Sequence, residues 1–196
     1  EILLGLDLAL ARGRYGRWLG AVPPNLSEDL EAPFLLRDLR HPLLIWQHKR
    51  SSGTPVVPIS VDVSAQLRVV AITGPNTGGK TVSLKSLGLA ALMARAGMLL
   101  PCSGQPSLPW CPQVLADIGD EQSLQQSLST FSGHIKRIGR ILHALESGPA
   151  PALVLLDEVG AGTDPSEGTA LATALLKALA DRARLTIATT HFGELK

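Results

Sequence analysis

The fold class of this 196-residue chain follows from the stretch Gly74-Pro75-Asn76-Thr77-Gly78-Gly79-Lys80-Thr81. It satisfies the pattern G-x-x-x-x-G-K-[S/T], in which glycines let consecutive backbone N–H groups surround phosphate oxygens at the start of a helix. A continuous apolar run at 67–73 precedes it, and a helical pattern at 80–96 follows it. This context predicts a buried parallel strand, a phosphate-binding loop and a helix. Lys80 would supply a charge for the β- and γ-phosphates of ATP, and Thr81 a hydroxyl for Mg²⁺.

A second segment has two acidic residues directly after an apolar run. Asp157 and Glu158 follow the apolar residues 153–156, where a parallel strand would end. We expect Asp157 to bind Mg²⁺ directly or through its waters, and Glu158 to take a proton from the attacking water. His191 directly follows a predicted strand at 185–190, at the sheet edge where open α/β folds bind ligands, and we expect it to sense the γ-phosphate.

The remaining pattern predicts an α/β layered fold, with a mostly parallel sheet flanked by helices and a small antiparallel edge sheet. Helices are expected at 2–19, 80–96, 130–145 and 166–182. Strands are expected at 43–46, 56–63, 67–73, 98–101, 113–118, 152–157 and 185–190, and the first two are expected to form the antiparallel edge sheet. Ser166 is expected to cap the last helix. We interpret 1–33 as a helix and a proline-containing linker from a preceding domain, and 34–196 as a nucleotide-binding domain truncated at its C-terminal end.

Composition excludes several classes of protein. The formal net charge of +1 gives no overall attraction to nucleic acid or to a membrane. The longest apolar stretch, 87–100, contains Arg95 and is shorter than the roughly 18 to 20 residues that a membrane span needs. Cys102 and Cys111 lack zinc-ligand spacing, so we expect reduced thiols in a cytoplasmic protein. The chain starts without methionine and stops at a strand-to-helix junction, which we interpret as an excised fragment.

The order of these motifs resembles the ATP-binding-cassette class of ATPases. A Leu-Ser-Gly-Gly-Gln signature is absent, whereas Ser-Thr-Phe at 129–131 ahead of a helix is similar to the MutS family. The segments GPNTGGKT, DEVGAGTDP and TTHF all resemble MutS-type versions. More narrowly, GDEQS at 119–123, SLSTFSGHI at 127–135 and RHPLL at 40–44 resemble the second bacterial MutS branch, a paralogue associated with recombination suppression.

The resemblance implies a homodimer of ATPase domains packed head to tail, with each ATP between two chains. Ser129 would then reach the γ-phosphate in trans, and Asp164 would lie in the loop that crosses the dimer interface. Gln122 would contact the metal or the water. The adenine would pack on Val57, Pro58 and Ile59. In the parent protein, DNA binding would belong to preceding domains, and any nuclease activity to a C-terminal domain.

Two functions of different classes share this site. In the first, the chain is the Mg-dependent ATPase of a DNA-binding protein that suppresses homologous recombination, with Glu158, Lys80, His191 and Ser129 as catalytic residues. In the second, ATP binding itself is the signal of a switch on DNA or on ribosomes, and turnover only resets it. A monomeric nucleotide kinase is disfavoured because the sequence has no arginine-rich lid segment.

Overall fold

The computed structural model describes residues 1–29, 32–51, 54–74, 79–119 and 127–193, with the side chains of 127–130 excepted. The elements in chain order are α1 (Ile2–Leu19), β1 (Asn25–Ser27), β2 (Phe34–Leu39), α2 (Pro42–Ser51), β3 (Ile59–Val63), β4 (Val69–Thr73), α3 (Lys80–Arg95), β5 (Ser103–Pro109), β6 (Gln113–Asp117), α4 (Ser127–Ser147), β7 (Ala152–Leu156), α5 (Pro165–Arg182) and β8 (Leu185–Thr190). They form two compact units. One comprises Glu1–Gln66 and Leu89–Trp110, and the other comprises Leu67–Gly88 and Cys111–Lys196.

The second unit contains the predicted parallel sheet. Its four strands have the order β4-β8-β7-β6, and every neighbouring pair is parallel. β7 and β8 are buried along their whole length, which explains why β7 is entirely apolar and why β8 contains only apolar residues and threonines. The sequence predicted all four of these strands, together with α3, α4 and α5. Secondary structure is predicted most reliably where the apolar pattern is regular and its boundaries are clear.

Alternate residues of β7 face opposite sides of this sheet. One side packs on α4 and α5 through a cluster of Ile141, Val154, Leu156, Val159, Ala172, Leu175, Leu176, Leu179, Ala183 and Ala188. On the other side Leu155 meets Gly88 of α3, where an added Cβ would lie 2.6 Å from the Leu155 Cδ1 atom. Burial of each leucine contributes about 2 kcal/mol to folding. The α/β fold class of the prediction is therefore confirmed.

The first unit contains a separate four-stranded sheet of order β1-β5-β2-β3. β2 pairs antiparallel with β3 and β5, whereas β1 pairs parallel with β5. An antiparallel sheet is present as predicted, but the partner of Ile59–Val63 is Phe34–Leu39 rather than 43–46. The predicted linker 21–33 includes β1. The predicted domain boundary at residue 33 stays a prediction. In this structure residues 1–66 all belong to the first compact unit.

The strand predicted at 43–46 is wrong, because these residues lie in helix α2. Pro42 occupies the first helical position, where its fixed φ is favourable, and the backbone N–H of Leu43 donates to His41 Nδ1 at 3.3 Å. The helix buries Pro42 and Ile45, three residues apart, and leaves Leu43 and Trp46 exposed. A short apolar run does not distinguish a strand from a helix, so this error has a plain cause.

The strand predicted at 98–101 is also wrong. Within it Leu100 forms one isolated bridge with Val22, and the strand itself is β5, at Ser103–Pro109. β5 contains Gly104 and Pro106, which argue against a central strand in sequence analysis. The structure accommodates them because the pairing of β2 with β5 shifts register between Leu35 and Arg37.

Candidate functional site

The carboxyl ends of the parallel strands meet at one edge of the sheet in the second unit. Strand pairing aligns Thr73 with Thr190, and Asp117 with Leu156. The phosphate-loop residue Gly74, the acidic pair at 157–158 and His191 each follow one of these strand ends. Open α/β sheets bind their ligands at this edge. The candidate site therefore lies within a single compact unit.

The described ends of the phosphate-binding loop have the backbone that the motif requires. Gly74 and Gly79 adopt φ angles of +137° and +75°, which favour glycine. Lys80 is the first residue of α3, is only 5% exposed, and its Nζ donates to the carbonyl oxygen of Gly74. Within the described parts of the chain, no carboxylate pairs with this ammonium. A buried cation of this kind suits an anionic ligand, since burial of an unpaired charge is costly.

Asp157 and Glu158 are held by one residue of the neighbouring strand. The Thr189 hydroxyl donates to Asp157 Oδ1, and the backbone N–H of Glu158 donates to the same hydroxyl at 2.8 Å. The carbonyl oxygen of Thr189 accepts from Val159 N at 2.9 Å. Asp157 is 5% exposed and, among the described residues, its carboxylate has no cationic partner. A buried carboxylate that has no cationic partner suits a hard divalent cation.

Glu158 has an unusual backbone. Its φ of +53° lies in the left-handed region, which a non-glycine residue seldom adopts. Such strain costs about 1–3 kcal/mol and is concentrated at functional sites. The Glu158 side chain is partly buried, with Oε1 at 3.3 Å from His191 Nε2, and His191 is half-exposed. The structure therefore brings together the predicted base and the predicted γ-phosphate sensor.

The loop after Glu158 ends in a helix cap. Asp164, rather than the predicted Ser166, is the N-cap of α5, with Pro165 in the first turn. Asp164 Oδ1 accepts from the Ser166 backbone N–H at 2.9 Å and from the Ser166 hydroxyl at 2.6 Å. These hydrogen bonds lower the pKa of the Asp164 carboxyl. Asp164 thus has a local capping role, and its predicted role in trans stays a prediction.

Sequence analysis missed Asp117, the last residue of β6. It is 2% exposed, its Oδ2 lies 2.6 Å from His134 Nδ1, and Arg137 Nε donates to its Oδ1. Burial raises the pKa of this carboxyl, but the hydrogen bonds from His134 and Arg137 outweigh burial and lower it below its usual value. The backbone N–H of Asp157 also donates to the Asp117 carbonyl oxygen at 2.9 Å. The spacing of His134 and Arg137 on one helix face was the available signal.

A cleft in this unit joins these groups. Its walls include Asp117, His134, Asp157 and Glu158, together with the Phe131 ring. Phe131 and His134 come from α4, whose first turn contains Ser129. α4 therefore carries the signature segment to the edge where the acidic pair lies.

Several predicted site residues are outside what the structure describes. Pro75, Asn76, Thr77 and Gly78 are among them, and so is Gln122. Ser129 lies in a described helix, but its side chain does not belong to the described part. Thr81 is half-buried, directly after Lys80. Val57, Pro58 and Ile59 belong to the other compact unit, with Val57 80% exposed. The adenine, metal and trans roles of these residues stay predictions.

The cysteines take no part in this arrangement. Cys102 and Cys111 are both buried, and they belong to different compact units. Burial raises the pKa of the Cys102 thiol to about 12. This thiol is therefore protonated and unreactive at neutral pH.

Comparison with known proteins identifies the family. A family model described as MutS domain V matches residues 70–196, well over half of the chain. The chain belongs to the MutS family. The matched range contains the candidate site and all of the parallel sheet except Val69, so this MutS domain is of the ATPase type and has the P-loop fold.

The relatives of this MutS chain identify its branch. Endonuclease MutS2 of Synechocystis is 60% identical over 207 residues, which cover 97% of this chain and 25% of that protein. Endonuclease MutS2 of Thermomicrobium roseum is 49% identical, with 97% of this chain and 24% of the relative covered. The protein of the same name from Symbiobacterium thermophilum is 50% identical, and the covered shares are 97% and 22%. The chain is thus a MutS2-branch segment that spans about a quarter of these relatives.

A further observation concerns the helices of this MutS2-type chain. In the described ranges, no helix has both the length and the apolar character that a membrane crossing requires.

Proposed function

We propose that the chain binds ATP together with Mg²⁺ and hydrolyses it, as the ATPase domain of a MutS2-type protein. The observation that carries this proposal is the acidic pair at 157–158, held by Thr189 at the same sheet edge as the buried Lys80 ammonium. A cation for phosphate, a carboxylate for a metal and a second carboxylate for water are the groups that phosphoryl transfer needs.

In this mechanism each residue has one task. Lys80 and the loop N–H groups bind the phosphates and stabilise the charge that develops on the transferred phosphoryl group. Glu158 orients the attacking water and accepts its proton, while the water oxygen bonds to the γ-phosphorus and the bond to the leaving ADP oxygen breaks. His191, at 3.3 Å from Glu158, holds that carboxylate and contacts the γ-phosphate. Thr81 and Asp157, with Gln122 as a third candidate, would hold Mg²⁺, which neutralises phosphate charge when bound.

The proposal extends to a head-to-tail homodimer. Ser129, in the first turn of α4, would complete the partner's site at the γ-phosphate, and Asp164 would lie at the interface. Val57, Pro58 and Ile59 would contact the adenine. For the parent protein we propose DNA binding, suppression of homologous recombination and a cytoplasmic location. The relatives are named endonucleases, and we propose that any nuclease activity of the parent resides outside these residues.

The test is ATP hydrolysis per mole of chain, measured with Mg²⁺ as the chain concentration is raised. We expect specific activity to rise with concentration, because a trans-acting residue completes each site. Constant, substantial activity of a chain shown to be monomeric would overturn the role of Ser129 in trans. Tight ATP binding with no turnover at any concentration would instead support the switch function, on DNA or on ribosomes, in which binding is the signal.

A further inference from the structure

Thr189 uses its hydroxyl in both directions at the candidate site. The oxygen accepts from the Glu158 backbone N–H at 2.8 Å, and the O–H donates to Asp157 Oδ1. The side chain is completely buried. Because a hydroxyl has one proton, donation to Asp157 leaves its lone pairs for the N–H of Glu158. The two bonds are therefore compatible, and both depend on the same oxygen.

These two hydrogen bonds act on the Asp157 carboxylate and on the backbone of Glu158. The Asp157 carboxylate is 5% exposed and, within the described residues, the Thr189 hydroxyl is its side-chain partner. Glu158 has a φ of +53°, which an unrestrained glutamate would leave for a more favourable region. The hydrogen bond from the Glu158 backbone N–H to the Thr189 hydroxyl restrains the peptide group before this strained residue. The hydrogen bond from the Val159 backbone N–H to the Thr189 carbonyl oxygen restrains the peptide group after it.

We propose that the Thr189 hydroxyl is the positioning group that aims both the Asp157 carboxylate and the Glu158 side chain for ATP hydrolysis. This inference rests on the proposed function of the site. Thr189 acts through Asp157 and Glu158, which directly follow the adjacent strand β7, and does not itself touch the nucleotide. The hydroxyl group of Thr189, rather than the volume of its side chain, has this role. A valine, which has nearly the same shape, therefore cannot replace it.

The structure supplies a matched control in the same strand. Thr186 is equally buried, three residues before Thr189, and its hydroxyl has no hydrogen-bond partner among the described residues. Thr186→Val makes the same chemical change without removing a bond. The experiment compares Thr189→Val, Thr189→Ser and Thr186→Val with the wild-type chain. It measures kcat and KM for ATP hydrolysis, and the Mg²⁺ concentration at which nucleotide binding is half-maximal.

We expect Thr189→Val to lower kcat by roughly 10- to 100-fold, since misplacement of about 1 Å has effects of that size. The KM for ATP should change little, because Lys80 and the loop are intact, while the Mg²⁺ requirement should rise. Thr189→Ser should restore most of both values, and Thr186→Val should match the wild type. If Thr189→Val does not fold, as judged by circular dichroism, Thr189→Ala removes the same hydroxyl without the extra methyl group.

The outcomes separate this inference from the proposed function. Equal kcat and equal Mg²⁺ requirement in wild type and Thr189→Val would overturn the role of Thr189 and leave the ATPase proposal standing. A wild-type chain without turnover would overturn the ATPase proposal, and the Mg²⁺ titration of nucleotide binding would still decide the role of Thr189. Loss of activity in Thr186→Val as well would also overturn the inference, because any change in this strand would then be sufficient.

Discussion

Asp117 and Asp157 are buried aspartates at the ends of neighbouring strands of the parallel sheet, the first as the last residue of β6 and the second directly after β7, but they have different partners. Asp117, at 2% exposure, binds two cationic or polar side chains of α4, His134 and Arg137. Asp157, at 5% exposure, binds a neutral hydroxyl of β8. The first carboxylate has its charge compensated within the chain. The second has no cationic partner among the described residues, as its proposed role in metal binding requires.

The difference shows that burial of a carboxylate at a sheet edge does not by itself mark a metal site. A buried carboxylate with cationic or polar side chains as partners contributes to the architecture, and its loss removes their hydrogen bonds. A carboxylate held in place by a neutral donor is preorganised for a cation. The two aspartates should therefore respond in opposite ways to substitution.

The largest expected effect is on folding. Asp117→Ala should lower the free energy of unfolding by roughly 3–5 kcal/mol, because it removes two hydrogen bonds of a buried carboxylate, to His134 and Arg137, and such bonds contribute about 1.5–3 kcal/mol each. The matched control is Glu146→Ala, which breaks an exposed ion pair with Arg182 at 2.9 Å and should cost about 0.5 kcal/mol. Urea denaturation of both variants measures the difference. Equal losses would show that the Asp117 cluster is not structural.

The next effect is on turnover. Asp157→Asn should lower kcat for ATP hydrolysis by roughly 100-fold or more, since a preorganised electrostatic group is lost, with only a small change in the unfolding midpoint. Asp181→Asn, an exposed aspartate in α5, serves as the control for a change of net charge. An unchanged rate of hydrolysis in Asp157→Asn would contradict the proposed role of this residue in metal binding. It would also contradict the proposed functional difference between Asp157 and Asp117.

A smaller effect concerns nucleotide affinity. Lys80→Ala should weaken ATP binding by roughly 10- to 100-fold, because a charge-assisted hydrogen bond contributes about 1.5–3 kcal/mol. Lys177→Ala, an exposed lysine in α5, should bind ATP as the wild type does. Fluorescence titration with a labelled ATP analogue measures both. If both variants retain full affinity, the assignment of the phosphate-binding loop is wrong.

The smallest effect is the pH dependence of stability. The native pKa of Asp117 is lowered, so its stabilising contribution is fully present above the unfolded pKa of about 3.9 and is lost as the pH falls through the lower native pKa. Asp117→Asn should therefore lose less stability than the wild type between about pH 4 and pH 2. Unfolding free energies at several acidic pH values provide the check. Parallel curves would contradict the lowered pKa.

Sequence patterns predicted one of the two compact units much better than the other. The parallel strands β4, β6, β7 and β8 are short runs of mostly apolar or β-branched residues, as a parallel sheet covered on its faces requires. The sheet of the first unit has short strands, and β5 contains prolines and a register shift. Its strands owe their stability to partners far along the chain, such as Leu36 opposite Val61. Local patterns carry little information about such pairings.

The sequence by itself determined the order of the motifs, the parallel sheet and the positions of Lys80, Asp157, Glu158 and His191 at strand or helix ends. These features depend on periodicity and loop chemistry over a few neighbouring residues. Only the tertiary structure decided that Asp117 pairs with His134 and Arg137 whereas Asp157 accepts from the Thr189 hydroxyl. The reason is distance along the chain. Asp157 meets Thr189 across 32 residues, and Asp117 meets His134 and Arg137 across 17 and 20 residues. Such contacts exist only once β8 and α4 have packed against the sheet.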